Sequence, residues 1–259
     1  YRGESLMFEV VQISTKNRRQ VRDFIEFQYD HYKDCEYFVP PFRNDIKTMM
    51  NIPTLFDPKG HPFYDHSVSA FFVAYQDGKV VGRIAVFDNL PYNKHHDSKV
   101  MAFTLFESIN DQKVADALFE AGFTWGRERG LNLVMGEKGF SSFDGYGILV
   151  EGFDLPQSMT MSKYNYPYYK DLFETAGFEM EVDFNTFQIP GGFKNFNIPE
   201  RVQQISDKVQ ERGFLTAAPF KDKKELVEVA RTELIRMYKA TFETNWEYYP
   251  WTDDELNFA

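Results

Sequence analysis

Residues 99–140 constrain the fold of this chain more than any other stretch. They begin with an alternating apolar run, continue with an apolar stripe at helical spacing over residues 113–130, and end with a second apolar run from Leu131. A strand, a helix and a strand this close together form a crossover unit, in which the two strands are parallel. Ligands of such units bind at the carboxyl ends of the strands, so the sequence directs the search for a site to residues 107–113 and 135–153.

A second strong signal is the Asp77-Gly78 pair, which lies between apolar runs at residues 70–75 and 79–87. Glycine tolerates the positive φ of the primed turns, so the pair predicts a β-hairpin. Ser14 or Thr15 is expected to cap the first helix. The other predicted elements are a strand at 8–13, a helix that buries Val21, Phe24, Ile25, Tyr29 and Tyr32, a short helix at 45–50, a polar loop at 90–98, a helix at 164–175 and a strand at 180–189.

The charge and cysteine content of the chain exclude several classes of function. A net charge of −10 at pH 7 disfavours nucleic-acid binding. Cys35 is the only cysteine, which excludes an internal disulfide and favours a reducing, cytoplasmic location. No apolar run of about eighteen residues is present, so no membrane partner is expected. The histidines near His61 and His95 lack a spacing that would orient them around a metal, and no metal site is predicted.

The opening order of strand, helix, aromatic-proline segment and acidic helix start recurs late in the chain. Residues 248–251 correspond to residues 37–41, and Pro190-Gly191-Gly192 interrupts the pattern between the two copies. This order predicts a tandem architecture. Its parts are a first domain at 1–192, a linker helix at 193–213 and the N-terminal part of a second, incomplete domain at 214–259. The second copy is expected to have a strand at 214–220 and a helix that buries Leu226, Val229, Ala230, Leu234 and Met237.

A long loop after the crossover unit is expected to line a pocket. It contains five glycines between positions 136 and 152, and aromatic residues between them argue against disorder. Asp144 and Tyr146 lie in this loop and are candidates for contact with a substrate. Their alternative roles are a turn residue and a packing aromatic.

The predicted order of elements and two local motifs resemble the GNAT acyl-CoA N-acyltransferase superfamily. Residues 77–84, Asp-Gly-Lys-Val-Val-Gly-Arg-Ile, look like its second and third strands, and residues 170–178 look like its last helix. The segments at 38–43, 61–66 and 147–154 are similar to a poorly characterised bacterial group of tandem GNAT-like proteins. The resemblance implies a mixed α+β (α/β) GNAT-like domain with a central twisted mixed sheet, followed by the start of a second copy.

This resemblance implies the transfer of an acyl group from acetyl-CoA or another acyl-CoA to a small-molecule amine. Glu107, at the end of the central strand, is the candidate general base. Tyr169 is the candidate acid for the leaving thiolate, because Phe173 stands where the family usually has a tyrosine. Backbone N–H groups of the second crossover strand would polarise the acyl carbonyl.

The same resemblance implies two further groups of site residues. Asp144, Tyr146 and Asn165 are the candidate substrate ligands, and Asn165 is alternatively a helix cap. The candidate cofactor contacts lie in the turn before the crossover helix and at the end of the second strand: Asn110, Asp111, Gln112, Lys113, Met135 and Gly136.

The turn before the crossover helix departs from the family pattern, because it contains no glycine. Asn110 or Asp111 is expected to cap the helix and to occupy N–H groups that a phosphate needs. Glu107 and Asp111 are expected to repel the phosphates, so weak CoA binding is predicted. Two alternatives therefore stay open, a non-catalytic GNAT-like ligand-binding module and a tandem GNAT-like aminoacyl transferase. The oligomeric state is also left open.

Overall fold

The computed structural model describes residues 8–55, 57–141, 144–157, 162–187, 197–213 and 220–259. Its strands are β1 (Phe8–Gln12), β2 (Val68–Gln76), β3 (Lys79–Asp88), β4 (Val100–Ser108) and β5 (Leu133–Met135). Its helices are α1 (Arg18–His31), α2 (Arg43–Met49), α3 (Leu90–His95), α4 (Gln112–Arg127), α5 (Tyr169–Thr175), α6 (Glu200–Glu211), α7 (Lys223–Val229), α8 (Ile235–Phe242) and α9 (Asp253–Phe258). A 3₁₀ turn covers Pro62–Asp65, and a π-helical turn covers Ala230–Leu234.

The described strands form one mixed sheet in the order β1-β2-β3-β4-β5. Neighbouring strands are antiparallel up to β4, and β4 and β5 are parallel, as the crossover unit predicts. The predicted hairpin is also confirmed, since Gln76 pairs with Lys79. Asp77 and Gly78 both have positive φ, 51° and 76°, as a type I′ turn requires. The mixed α+β fold class therefore follows from the strongest local signals in the sequence.

Helices cover both faces of the sheet, because side chains alternate between the two faces of a strand. The face under α4 buries Ile84, Val86, Met101, Phe103 and Phe106. The face under α1 and α2 buries Phe71, Val73 and Ala85. The residues that could form a site are those whose side chains lie on the α1 face near the end of β4.

A β-bulge in β4 decides which side chains reach that position. Arg83 pairs with Glu107, but Ala85 pairs with Thr104, so β4 carries one extra residue at this point. Leu105 lies at this bulge and has a φ of 54°, a left-handed conformation that is rare for a bulky residue. Phe106 therefore packs under α4, while Glu107 lies opposite Arg83 on the α1 face.

β4 and β5 part soon after they pair. Their ladder covers only Val100–Ala102 and Leu133–Met135, although β4 continues to Ser108. The next residue, Gly136, lies against the ring of Phe103, where a Cβ atom would come within 2.4 Å of a ring carbon. Glycine is required there by this close approach. The carboxyl-terminal half of β4 consequently faces a gap where a further length of β5 would otherwise run.

Several predicted elements differ from the structure, because their ends depend on specific caps and partners. Asn17 caps α1 by accepting from Arg19 N at 3.1 Å, so the predicted caps Ser14 and Thr15 were wrong. The expected polar loop at 90–98 contains α3, because Asn89 accepts from Tyr92 N and starts a helix. The helix expected at 164–175 begins only at Tyr169.

The closing strand predicted at 180–189 is absent from its described part, residues 180–187. Met180, Phe184 and Phe187 are exposed there, at 77%, 59% and 88%. An alternating pattern forms a strand only when another strand pairs with it, and among the described residues none does. Residues 188 and 189 lie outside the described residues.

The chain divides into two compact units. One unit runs up to Glu179 and also includes Thr241–Ala259, and the other is Met180–Ala240. A segment can pack against one domain and still be continuous with the next, so the predicted domain boundaries stay a prediction. In the second unit, part of the helix face expected to be buried is exposed, which corrects that expectation: Leu226, Leu234 and Met237. The strand predicted at 214–220 lies almost wholly outside the described residues.

Residues 241–259 belong to the first unit and pack into it through a few buried side chains. Tyr249 and Trp251 are buried against Tyr92 and Val100. Lys138 and Glu247 form an ion pair in which both side chains are less than a tenth exposed. These contacts attach the late segment beside the beginning of the long loop that follows β5.

Candidate active site

Glu107 is a half-buried side chain at the centre of a hydrogen-bond cluster. Its Oε2 atom accepts from the hydroxyls of Tyr32 at 2.8 Å and Tyr169 at 2.5 Å, and these two hydroxyls are 3.2 Å apart. The three residues come from β4, the end of α1 and the start of α5. The bulge brings them together, because it turns Glu107 toward α1.

Burial raises the pKa of Glu107 to about 6, although the charge of Arg83 and the two tyrosine hydroxyls oppose the rise. A carboxyl group with this pKa is mostly ionised at pH 7 and is still basic enough to accept a proton. Burial, with the charge of Glu107 second, raises the pKa of Tyr32 and of Tyr169 well above the ordinary value. Both hydroxyls therefore stay protonated and can donate.

Hydrogen bonds fix the positions of the Tyr169 and Tyr168 hydroxyls. Its hydroxyl accepts from Ser108 N at 3.2 Å while it donates to Glu107. Beside it, the Tyr168 hydroxyl donates to Ser108 O at 2.7 Å and lies 3.0 Å from Nε2 of His31. Burial, helped by the charge of Arg83, lowers the pKa of His31 to about 4, so this imidazole is neutral at pH 7. Nε2 is then the protonated nitrogen, because the single Tyr168 proton is already donated to Ser108.

A cavity of about 170 Å³ opens beside Glu107 on the α1 face of the sheet. Its floor is formed by Arg83 and by the bulged part of β4 from Thr104 to Glu107. The helices α1 and α2 supply Gln28, Asp45, Ile46 and Met49. The long segment after β5 supplies Glu137, Asp144, Gly147, Ile148, Gln157, Ser162, Lys163, Tyr164 and Asn165.

The side chain of Glu137 is hydrogen-bonded to a backbone N–H group that the bulge turns toward the gap where β4 and β5 separate. Its Oε1 atom accepts from Phe106 N at 2.8 Å, and its Oε2 atom lies 2.5 Å from Lys163 Nζ. The sequence-based expectation placed polarising N–H groups on the second crossover strand, and this role stays a prediction. Beyond β5, Lys138 N and Gly139 N donate to Phe103 O and Gly145 O.

The predicted cofactor turn lies at the start of α4. Asp111 caps this helix, with Oδ1 accepting from Lys113 N at 2.9 Å, as expected. Gln112 donates to Leu172 O at 3.1 Å, while Asn110 and Lys113 are exposed. The carboxylate of Glu107 accepts from two tyrosines beside the cavity, and its expected repulsion of the phosphates stays a prediction. Met135 ends the ladder with β4, and Gly136 follows at the point where the strands part.

The predicted substrate ligands are placed in different surroundings. Asp144 lines the cavity and accepts from Ser141 N and Oγ, each at 2.8 Å. Asn165 also lines it, but its amide is bonded to Leu149 N at 2.7 Å and to Leu149 O at 3.0 Å, so its expected helix-cap role was wrong. The ring of Tyr146 packs 5.6 Å from that of Trp246. The functional roles assigned to all these residues stay predictions.

Sequence reasoning missed several cavity residues. Glu137 and Lys163 belong to a glycine-rich stretch or to the chain just beyond it, and Tyr32 was recognised only as part of a buried helix face. Tyr32 and Glu107 are 75 positions apart in the chain, so no local pattern links them. The one signal of this site in the sequence was an arginine, Arg83, within an otherwise apolar strand. The structure shows that this side chain is buried.

The sheet decides the type of fold. Four antiparallel strands lead to a parallel pair that parts at its carboxyl end, a helix connects this pair, and a bulge lies in the first strand of the pair. The chain has a GNAT-like fold. The expected family order of strand, two helices, hairpin, strand, helix, strand, helix and strand is present as far as α5, with the additional short helix α3 before β4. Its last strand is not formed in the described residues 180–187.

Comparisons with known proteins give distant relatives of this GNAT-like chain. No family model matches it. Protein YghO of Escherichia coli (strain K12) is 23% identical over 93% of the chain, and the bacterial ceramide synthase of Caulobacter vibrioides is 27% identical over 86%. The chain spans 58% and 55% of the lengths of these two relatives. The crystal structure of an aminoglycoside acetyltransferase from an uncultured soil sample, in complex with sisomicin, is 11% identical, with a TM-score of 0.43 over 70% of this chain and 96% of that one.

Two features are absent from the part of the chain that the structure describes. Among these residues, no helix has the length and apolarity needed to cross a bilayer. Within the same residues, no group of three or more histidine, cysteine or acidic side chains is arranged to hold a metal ion.

Proposed function

We propose that this GNAT-like chain is an N-acyltransferase that moves an acyl group from acetyl-CoA or another acyl-CoA to an amine. The observation that carries the proposal is the direct hydrogen bond between Glu107 and Tyr169 in a cavity beside the parted strands. A base with a pKa near 6 and a protonated hydroxyl are the two groups that aminolysis of a thioester needs.

The two groups can complete a full proton cycle. The amine nitrogen attacks the thioester carbonyl carbon, the N–C bond forms, the C–S bond breaks, and the amine proton passes to Glu107. Tyr169 protonates the departing thiolate. Because Tyr169 and Glu107 share a hydrogen bond, the proton on Glu107 then returns to the tyrosine oxygen, and both groups regain their starting states. The products are an amide and free CoA thiol.

The bulge supplies a donor for the carbonyl oxygen of the thioester. We assign this role to Phe106 N–H, since it faces the gap between β4 and β5 and is not used in the strand ladder. Glu137 accepts from it in the structure, so an acyl group would have to displace this carboxylate toward Lys163. A backbone N–H aimed at developing negative charge stabilises the tetrahedral intermediate.

The proposal is tested with Glu107→Gln and Tyr169→Phe. Release of CoA thiol is measured from acetyl-, octanoyl- and palmitoyl-CoA with a panel of amines. We expect each variant to lose about 10²- to 10⁴-fold in rate, the usual contribution of a general acid or base. Glu174→Gln is the matched control, because Glu174 lies on the exposed side of α5 and pairs only loosely with Lys170.

The competing function, a non-catalytic GNAT-like binding module, predicts a different result. It would bind acyl-CoA without releasing thiol in any combination of acyl donor and amine. Thiol release that is unchanged in Glu107→Gln would equally refute the assigned base.

A specific observation favours a long-chain lipid amine as one class of acceptor. The relative named as a ceramide synthase matches 86% of the chain, and a ceramide is an N-acylated long-chain amine. Pairing palmitoyl-CoA with amines of increasing chain length tests this candidate, which requires the rate to rise with chain length. A cytoplasmic location belongs to the same proposal, since acyl-CoA is available there.

A further inference from the structure

Two polar side chains in the floor of the cavity have atoms without partners. Arg83 is 0% exposed and Thr104 is 1% exposed, and both line the cavity. Among the described residues, neither Nε of Arg83 nor Oγ1 of Thr104 has a hydrogen-bond partner. Folded proteins pair nearly all buried polar atoms, so an unpaired donor beside an unpaired hydroxyl suggests a site that a ligand completes.

The guanidinium of Arg83 is held at both terminal nitrogens, and its Nε–H has no partner among the described residues. One terminal nitrogen of Arg83 donates to Phe24 O at 2.8 Å, and the other donates to Gln28 Oε1. Its guanidinium also lies 5.0 Å from the centre of the Phe24 ring. These contacts come from α1 and fix the guanidinium, so its Nε–H direction is fixed as well. A donor fixed in advance loses little entropy when it binds a ligand.

Sheet register places this donor close to the proposed base. Arg83 lies directly opposite Glu107, and Thr104 lies opposite Ala85, two residues further along the same face of β3. Cross-strand neighbours have Cβ atoms about 4.5–5.5 Å apart. A group bound by Arg83 and Thr104 would therefore be separated by only a few bonds from an amine at Glu107.

We propose that Arg83 Nε–H and Thr104 Oγ1 form a subsite for a hydroxyl group of the acceptor, which makes the acceptor an amino alcohol. This inference rests on the proposed function, because that function places the amine at Glu107. One hydroxyl satisfies both protein atoms, since its oxygen accepts from Nε–H and its proton is donated to Oγ1.

The charges around the cavity favour a hydroxyl over a carboxylate. Four acidic side chains line it, contributed by α2, β4 and the long segment: Asp45, Glu107, Glu137 and Asp144. The basic residues that line it are Arg83 and Lys163. An amine that arrives as an ammonium ion is attracted to this surplus of negative charge, whereas a second, anionic group would be repelled by it.

Three eight-carbon amines that differ at one carbon test the subsite. They are 2-aminooctan-1-ol, 2-aminooctanoic acid and 2-aminooctane, and their binding to the full chain is measured by calorimetry. We expect the alcohol to bind at least about tenfold more tightly than the hydrocarbon, as a buried hydrogen bond to a charged donor predicts. The acid should bind more weakly than the alcohol.

Variants at position 104 provide the matched control. Thr104→Val keeps the shape and removes the hydroxyl, so it should remove most of the preference for the alcohol and leave 2-aminooctane binding unchanged. Thr104→Ser restores a hydroxyl and should restore the preference. If Thr104→Val fails to fold, the comparison of the three amines on the unmodified protein still decides the question.

Several results would overturn the subsite. Equal binding of the alcohol and the hydrocarbon, or no binding of any of the three, would mean that no ligand hydroxyl binds there. Tighter binding of the acid than of the alcohol would show that the subsite binds an anionic group and not a hydroxyl. The readout is binding and not turnover, so the two proposals fail separately. Selective binding without thiol release refutes acyl transfer alone, and thiol release without selectivity refutes the subsite alone.

Discussion

Glu107 shows how a single half-buried carboxyl group connects stability to chemistry. Its surroundings raise its pKa from an ordinary 4.5 to about 6. The folded state therefore holds the proton more tightly than the unfolded chain, and ionisation of Glu107 opposes folding. The cost is absent below about pH 4.5 and complete above about pH 6. The same property makes the side chain a useful base near neutral pH.

We predict that Glu107→Gln becomes progressively more stable than the unmodified protein as pH rises. The amide cannot ionise, so the difference in unfolding free energy should grow by about 2 kcal/mol between pH 4.5 and pH 8. Urea unfolding at pH 4.5, 6 and 8 measures it. The contribution of His31 to the pH dependence of the unfolding free energy has the opposite sign. Because the pKa of His31 is lowered to about 4, this residue makes the folded state more stable as pH rises from about 4 to 6.5. Its contribution is common to both proteins and cancels in the difference. Parallel stability curves would contradict the buried-base interpretation.

For single residues, the sequence was a better guide to which side chains are candidates for the site than to which residues those side chains contact. Glu107 was placed correctly at the end of a strand, and Tyr169 was selected because it lies one turn before Phe173. Their direct hydrogen bond depends on the bulge at Leu105, which no sequence pattern marks. Thr104 and Glu137 were missed for a similar reason, since their surroundings exist only after distant elements pack together.

The start of α4 lacks the features that a phosphate-binding helix N-terminus requires. Asp111 uses its carboxylate to accept from Lys113 N, and the turn has no glycine that would allow a phosphate to approach the backbone. A CoA molecule would then gain little from its pyrophosphate. Its affinity would come mainly from the pantetheine arm beside β4, where the strands part.

We predict that Asp111→Gly binds CoA several-fold more tightly than the unmodified protein. The change removes one negative charge and frees an N–H group, and it costs only about 0.3 kcal/mol of helix capping. Asp111→Asn is the matched control, because it keeps a capping oxygen and removes the charge, and its gain should be smaller. Calorimetry at low and moderate salt measures both. Tight, salt-sensitive binding by the unmodified protein that weakens in Asp111→Gly would contradict this interpretation of the turn.

Elements with strong local signals were predicted well, and those that depend on partners were not. The hairpin and the crossover unit follow from Asp77-Gly78 and from helical periodicity, and both are present. The strand expected at 180–189 has an alternating pattern like that of the true strands. It is not formed in its described part, because a strand also needs a neighbour that the pattern does not supply.

At the scale of the whole molecule, residues 241–259 belong by contact to the first unit. The sequence pattern assigned them to a second copy and did not predict that Tyr249 and Trp251 are buried. Tyr249 is 3% exposed and Trp251 is 7% exposed, so they contribute to the core of the unit that holds the cavity. Only tertiary contacts could reveal this placement, because a repeat of element order carries no information about where the later copy packs.

We predict that Trp251→Ala destabilises the first unit by about 3–5 kcal/mol, the usual cost of removing a buried tryptophan. In a Trp246→Phe background, Trp125 of α4 is then the only tryptophan, and its fluorescence reports unfolding of the sheet core. Trp251→Phe in the same background is the control and should lose much less stability. If the Trp125 transition is unchanged in Trp251→Ala, residues 241–259 do not stabilise the first unit.

The packing of residues 241–259 also sets an order of events during synthesis. The surface around Tyr92 and Val100 is covered by residues that leave the ribosome long after β5 and α5. At about 5–20 residues per second, the delay is on the order of several seconds. During that interval the nascent chain exposes an aromatic surface to chaperones and to neighbouring chains. The first unit can thus begin to fold early, but it becomes fully covered only after translation has passed the second.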